Sequence, residues 1–89
     1  MKTLKNIREE YGITQQELAE AFEVSPRTIQ NIEKDSSNIK DSLLTKYIKA
    51  FSVKYDDIFL GSEYENFEFQ RKQKEKIFIR LSGSKKITA

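Results

Sequence analysis

Cysteine and histidine are both absent from the 89 residues. Their absence removes disulfides, thiol nucleophiles, thiolate and imidazole metal sites, and the usual general base at neutral pH. No catalytic residue, metal or cofactor is therefore expected. Long apolar runs are missing as well. The N-terminal stretch MKTLKNIREEYG has no hydrophobic segment after its lysines, and no segment approaches bilayer length. Neither a signal peptide nor a membrane span is expected, and the chain reads as cytoplasmic. An excess of one charge is lacking too: 16 Lys+Arg stand against 14 Asp+Glu, a net +2. Any basic surface must come from arrangement. Length leaves room for one small domain plus an appendage. The 37% apolar residues, with six Phe and four Tyr, are enough to fill one core.

What is present is helical patterning bounded by helix-end signals. Thr3 to Tyr11 places Leu4, Ile7, Arg8 and Tyr11 at helical spacing, with Thr3 as N-cap and Gly12 as stop. Thr14 followed by Glu17 is a capping box, and Leu18, Ala19 and Phe22 then share one face. Ser25-Pro26 sets a capping residue before proline at the first helical position, where the missing N–H costs nothing. The third helix starts there and turns Ile29, Ile32 and Glu33 inward. After a loop at Asp35-Ser36-Ser37-Asn38, Lys40 or Asp41 opens a fourth helix carrying Leu43, Leu44, Tyr47, Ile48 and Phe51. A short fifth helix fits Tyr55 to Leu60, with Ile58 and Phe59 inward and Gly61 as the stop. Fold class is thus all-α, with five helices in residues 1–61 and a boundary at Gly61.

Residues 62–89 form an extension with two readings. Phe67 and Phe69, then Ile77, Ile79 and Leu81, alternate with polar residues around a charged stretch, which favours a β-hairpin. Ser62 and Glu65 make another capping box, which favours a helix from Glu63 to about Lys76. Strands are preferred because Gln70 to Lys76 contains nothing apolar for a helix to bury. Phe67, Phe69, Ile77, Phe78, Ile79 and Leu81 are too many apolar residues for a solvated tail, and they are assigned to a homodimer interface, with strand pairing between chains as one mode; the basic run Arg71 to Lys76 offers the alternative of tracking DNA phosphates beside the site.

Helices two and three are joined by the tight connection Phe22-Glu23-Val24-Ser25, with small Ala19 where the helices approach and Val24 plugging the turn. That is the logic of a helix-turn-helix. The string TQQELAEAFEVSPRTIQNIEK resembles the lambda-repressor-like family of Cro and repressor-type DNA-binding domains, the xenobiotic-response-element family. The likeness continues through LLTKYIKAFSVKYDDIFLG and covers residues 3 to 61.

This resemblance implies a repressor-type transcriptional regulator of bacterial, phage or mobile-element kind, bound to an operator in double-stranded DNA as a homodimer. Gln15 matches a family position that binds a DNA phosphate at the start of helix two. Ser25, Pro26, Arg27, Thr28 and Asn31 match positions that meet the major groove. Arg27 and Asn31 are the best base readers by chemistry, suited to guanine and adenine. Gln30 and Lys34 match flanking contacts, and Lys46 is assigned to the DNA backbone. Arg8 and Glu33 match a partly buried salt bridge between the first and third helices, a structural role.

The chain departs from the family pattern in lacking the usual Gly after the third-helix Glu and Pro before helix four, and in placing Pro26 where a polar base-contacting residue is common. Residues 1–61 carry net −1 and residues 62–89 net +3. A near-neutral helical domain keeps a second reading open, a protein-interaction module on the same scaffold that acts as an antitoxin or inhibitor of a protein partner.

Overall fold

Side-chain caps set where each early helix begins. In the computed structural model, which describes the backbone of residues 1–88 and the side chains of residues 1–82, Thr3 caps α1 (Leu4–Glu10) and Thr14 caps α2 (Gln15–Phe22). Both close reciprocal boxes: the Thr14 hydroxyl accepts from the Glu17 N–H at 3.1 Å, and the Glu17 carboxylate accepts from the Thr14 N–H at 2.9 Å. Ser25 caps α3 (Pro26–Lys34), with Pro26 as its first residue. Helix α4 (Asp41–Phe51) follows the loop.

The faces that these starts set in phase close over one core. Leu4 and Ile7 of α1, Leu18, Ala19 and Phe22 of α2, Ile29 of α3, and Leu44, Tyr47 and Phe51 of α4 are buried together with Ile58. Each large apolar side chain so buried contributes roughly 1.5–3 kcal/mol. The Phe22 and Tyr47 rings meet edge to face at 5.0 Å, tying α2 to α4. Tyr47 is wholly buried and its hydroxyl has no hydrogen-bond partner among the described residues. Burial pushes its ionisation well above the ordinary tyrosine range.

The segment expected to be a fifth helix over Tyr55 to Leu60 is instead a single 3-10 turn, Tyr55–Asp57, followed by a short strand, β2 (Ile58–Phe59). β2 pairs in parallel with β1 (Lys2–Thr3), in register Lys2 with Ile58 and Thr3 with Phe59. Six residues cannot pay for a helix nucleus, whereas an extended segment finds backbone partners on the N-terminal strand.

The extension is helical and not a hairpin. α5 spans Glu63–Thr88 and is the fifth α-helix among the described residues. The period-two spacing of Phe67, Phe69, Ile77, Ile79 and Leu81 is overruled by the Ser62 capping box, closed by bonds of 3.0 and 3.3 Å with Glu65. The apolar-free turns that argued against a helix are held by charge. Arg71 pairs with Glu68 at 2.9 Å and with Glu75 at 2.6 Å, at i−3 and i+4 spacing.

The start of α5 docks on the domain. Phe69 stacks on Phe59 at 4.3 Å, Gln70 donates to the Thr3 hydroxyl, and Gln73 donates to the Met1 carbonyl. A buried polar clip holds the junction: the Ser36 N–H donates to the Gly61 carbonyl at 2.8 Å, the Gly61 N–H donates to Ser36 Oγ at 2.9 Å, and Asn66 Nδ2 reaches the carbonyls of Lys34 and Gly61 at 2.9 and 3.1 Å. Gly61 has no room for a side chain, since a Cβ there would lie 2.9 Å from that of Glu65. From residue 71 to residue 82 every side chain of α5 is exposed, and the molecule extends 53 Å along its long axis against 24 and 23 Å across.

Candidate nucleic-acid interface

The third helix divides cleanly into two faces. Ile29 is buried, Ile32 is half-buried, and the Glu33 carboxylate turns inward with 4% of its side chain exposed. Arg27, Gln30, Asn31 and Lys34 are all exposed, and their spacing of three, four and seven residues places them on one stripe. The four sequence-predicted contacts along α3 therefore share a surface.

Ser25, Pro26 and Thr28 sit at the start of that stripe. Ser25 Oγ accepts the Thr28 N–H at 3.2 Å, and the two hydroxyls share a further hydrogen bond at 2.9 Å. Pro26 contributes shape and a fixed φ, with no donor. The turn before them is tight: Val24 N–H donates to the Ala19 carbonyl at 3.0 Å, and Glu23 adopts the left-handed conformation at φ 58°. A residue with a Cβ pays for that conformation where glycine would not.

Glu33 joins three elements. Its carboxylate takes Arg8 Nε at 2.6 Å and Arg8 Nη2 at 3.0 Å, a bidentate pair whose Arg8 side chain is 9% exposed. Arg8 Nη1 also donates to the Ile13 carbonyl at 2.8 Å. The hydrogen bond to Glu33 holds the guanidinium even above its ordinary high ionisation range. The sequence-predicted structural pair is thus formed. Gln15, the first residue of α2, is half-buried, and its Nε2 donates to the same Glu33 carboxylate at 3.0 Å. The residue expected to anchor phosphate is oriented by the salt bridge beneath it.

Two lysines have protein partners. Lys46 Nζ donates to the Phe22 carbonyl at 2.6 Å, so this α4 cation completes the C-terminal end of α2. Lys34, in the last turn of α3, lies 3.7 Å from Glu63 of α5, with both side chains about two-thirds exposed. In the following loop the Asp35 carboxylate accepts the N–H and hydroxyl of Ser37, and the hydroxyl bond first, then the N–H, holds its ionisation below the ordinary aspartate range. A negative charge therefore stays at the edge of the stripe.

Some residues were not assigned to any site in the sequence reading. Lys5 shares a groove with Gln15, Gln30, Lys34 and Phe67, extending the polar face toward α1 and α5. Ser36, Gly61 and Asn66 fix the junction of α5 with the loop after α3. Ser36 reaches Gly61 across 25 residues and Asn66 reaches the Lys34 carbonyl across 32, and no local pattern announces either contact. The predicted interface residues of the extension separate: Phe69 is half-buried against Phe59, while Phe67, Ile77, Phe78, Ile79 and Leu81 are each more than half exposed. Among the described residues no three acidic, histidine or cysteine side chains gather as a metal site, and no helix is long and apolar enough to cross a membrane.

Comparison with known proteins gives the same outline. A family model described as helix-turn-helix matches residues 4–58. Two proteins of Archaeoglobus fulgidus, each described as an uncharacterized HTH-type transcriptional regulator, are similar to the chain. One is 35% identical over 65 residues, covering 73% of this chain and 92% of the relative. The other is 32% identical over 62 residues, covering 70% of this chain and 89% of the relative.

Proposed function

Because the chain belongs to the lambda-repressor-like helix-turn-helix family, whose members are DNA-binding regulators of transcription, we propose that it is a repressor acting as a homodimer on a two-fold operator. The observation that carries this reading is the exposed stripe of Arg27, Gln30, Asn31 and Lys34 on α3, flanked by Gln15 at the start of α2. A helix of this width fits the major groove, and the mechanism is occupancy without chemistry.

Arg27 and Asn31 read base edges, at about 1–3 kcal/mol of discrimination for each good bidentate pair. Gln15, Gln30, Lys34 and Lys46 engage the backbone, and Lys5 adds a phosphate contact from α1. On binding, the Ser25 and Thr28 hydroxyls exchange their mutual bond for groove contacts, and Lys34 exchanges Glu63 for phosphate. Two copies set α3 helices one DNA turn apart, about 34 Å. Doubling the contacts offsets the weak electrostatics of a domain whose residues 1–61 are net −1.

In vitro selection of the full chain against a random duplex pool at about 0.15 M salt, which suppresses purely electrostatic binding, tests this. An enriched inverted repeat is expected. With that site in hand, Arg27→Ala relaxes preference at one position, whereas Lys5→Ala weakens all sequences alike. A folded protein that enriches no motif overturns the reading and returns the scaffold to protein recognition.

A further inference from the structure

Helix α5 carries an exposed stripe with no hydrogen bond or ring stack to the rest of the domain among the described residues, although Phe67 borders the groove of Gln15, Gln30 and Lys34, and Lys74 that of Lys5 and Glu9. Tyr64, Phe67, Arg71, Lys74, Phe78 and Leu81 follow one another at steps of three and four residues, the spacing of a coiled-coil seam. At 100° per residue this stripe lies about 120° around the helix from Asn66, Phe69, Gln70 and Gln73, which touch the domain. Its four apolar members are 72%, 64%, 56% and 57% exposed. They stand at the two ends of the stripe, with the two cations between.

We propose that a second copy of this chain covers the stripe, its α5 running antiparallel, with the two-fold axis between residues 72 and 73. This deepens the homodimer part of the reading above and rests on it. In this register Tyr64 faces Leu81 of the second copy and Phe67 faces Phe78, so each apolar end meets the opposite apolar end.

Charge selects the direction. The first third of α5 is acidic, with Glu63, Glu65 and Glu68, and the exposed part beyond is basic, with Lys72, Lys74, Lys76 and Arg80. Parallel pairing stacks acid on acid and base on base. Antiparallel pairing lays the acidic third along the basic third. The two central cations that face each other, Arg71 and Lys74, are already accommodated within each chain. Arg71 lies between Glu68 and Glu75, and Lys74 Nζ sits 5.7 Å from the centre of the Phe78 ring.

The assignment separates residues that their composition does not. Ile77 and Ile79 lie about 90° and about 110° around the helix from the centre of the stripe, on opposite sides of it. Neither is central to the dimer.

The absence of native cysteine makes the register directly testable by disulfide mapping. Tyr64→Cys and Leu81→Cys full-length chains are prepared singly and mixed under mild oxidation. In the antiparallel register two copies of residue 64 lie about 25 Å apart along the axis, beyond disulfide reach, whereas residue 64 of one copy meets residue 81 of the other. Cross-linking is expected in the mixture and not in either chain alone. Sedimentation equilibrium should show Phe78→Lys weakening the dimer at least tenfold and Ile79→Lys leaving it within about twofold.

Cross-linking of either single variant by itself overturns the antiparallel register. So does a dimer that forms no mixed disulfide, or one that Ile79→Lys weakens as much as Phe78→Lys. A wild-type chain that sediments as a monomer overturns the dimer and the register together, while the DNA selection still decides operator binding on its own.

Discussion

Replacing Glu33 by alanine removes the acceptor on which three elements converge. Arg8 would keep its guanidinium, 9% exposed, with only the Ile13 carbonyl at 2.8 Å as a partner, and Gln15 would lose its tether to α3. Stranding a buried charge costs about 3–5 kcal/mol, against a total stability of about 4–13 kcal/mol for a chain of this length. Glu33→Ala is therefore expected to lower the midpoint of thermal unfolding by about 12 °C or more, at roughly 4–8 °C per kcal/mol for a domain of this size. The double replacement Arg8→Met with Glu33→Leu removes both charges and their desolvation together, and is expected to lie within about 1 kcal/mol of wild type or above it. Urea unfolding of the full chain, followed by circular dichroism at neutral pH, measures both. A Glu33→Ala loss under about 1 kcal/mol refutes the buried-charge argument, as does a double variant no more stable than the worse single one.

Four further outcomes follow from individual contacts. Tyr47→Phe removes a buried hydroxyl without a partner among the described residues and keeps the edge-to-face contact with Phe22, so denaturant unfolding should show a gain of about 1 kcal/mol. Glu23→Gly relieves the left-handed residue in the helix-turn-helix connection and should add about 0.5–1 kcal/mol in the same measurement; a loss would place the turn's geometry elsewhere. Ser36→Ala breaks the clip to Gly61 and should cost about 1–3 kcal/mol, with faster amide exchange at Gly61 and Asn66 than in wild type. Glu17 and Glu65 are held below the ordinary glutamate range by the backbone N–H and then the hydroxyl of Thr14 and Ser62. Since the unfolded chain takes up these protons first, their contribution is complete above the ordinary value and is lost as pH falls through the lowered folded values. Melting temperature should accordingly drop between pH 5 and 3, about as ordinary carboxylates titrate, and Glu17→Gln should flatten that dependence.

Legibility in the sequence followed the range of the interaction. Thr3, Thr14, Ser25 and Ser62 act on backbone groups three residues ahead, and their patterns locate helix starts in the linear text. The exposed stripe of α3 was equally readable, because helical periodicity alone separates Arg27, Gln30, Asn31 and Lys34 from Ile29 and Glu33. The pairing of Arg8 with Glu33 came from family likeness, since 25 residues separate them.

Tertiary structure decided what local patterns left balanced. Tyr55 to Leu60 had enough apolar residues for a helical turn and a strand alike, and the free edge of Lys2–Thr3 drew Ile58–Phe59 into a parallel pair. The extension carried two periodicities at once. Its capping box, the Arg71 ion pairs and the stacking of Phe69 on Phe59 all favour the helix, and only the last depends on the rest of the fold. The sequence by itself determined the helix-turn-helix and its exposed face, because capping and amphipathic spacing act within one or two turns. Only the folded chain brought Ser36, Gly61 and Asn66 together and turned Gln15 onto Glu33, because contacts across 18 to 32 residues depend on how the helices pack and leave no periodic trace.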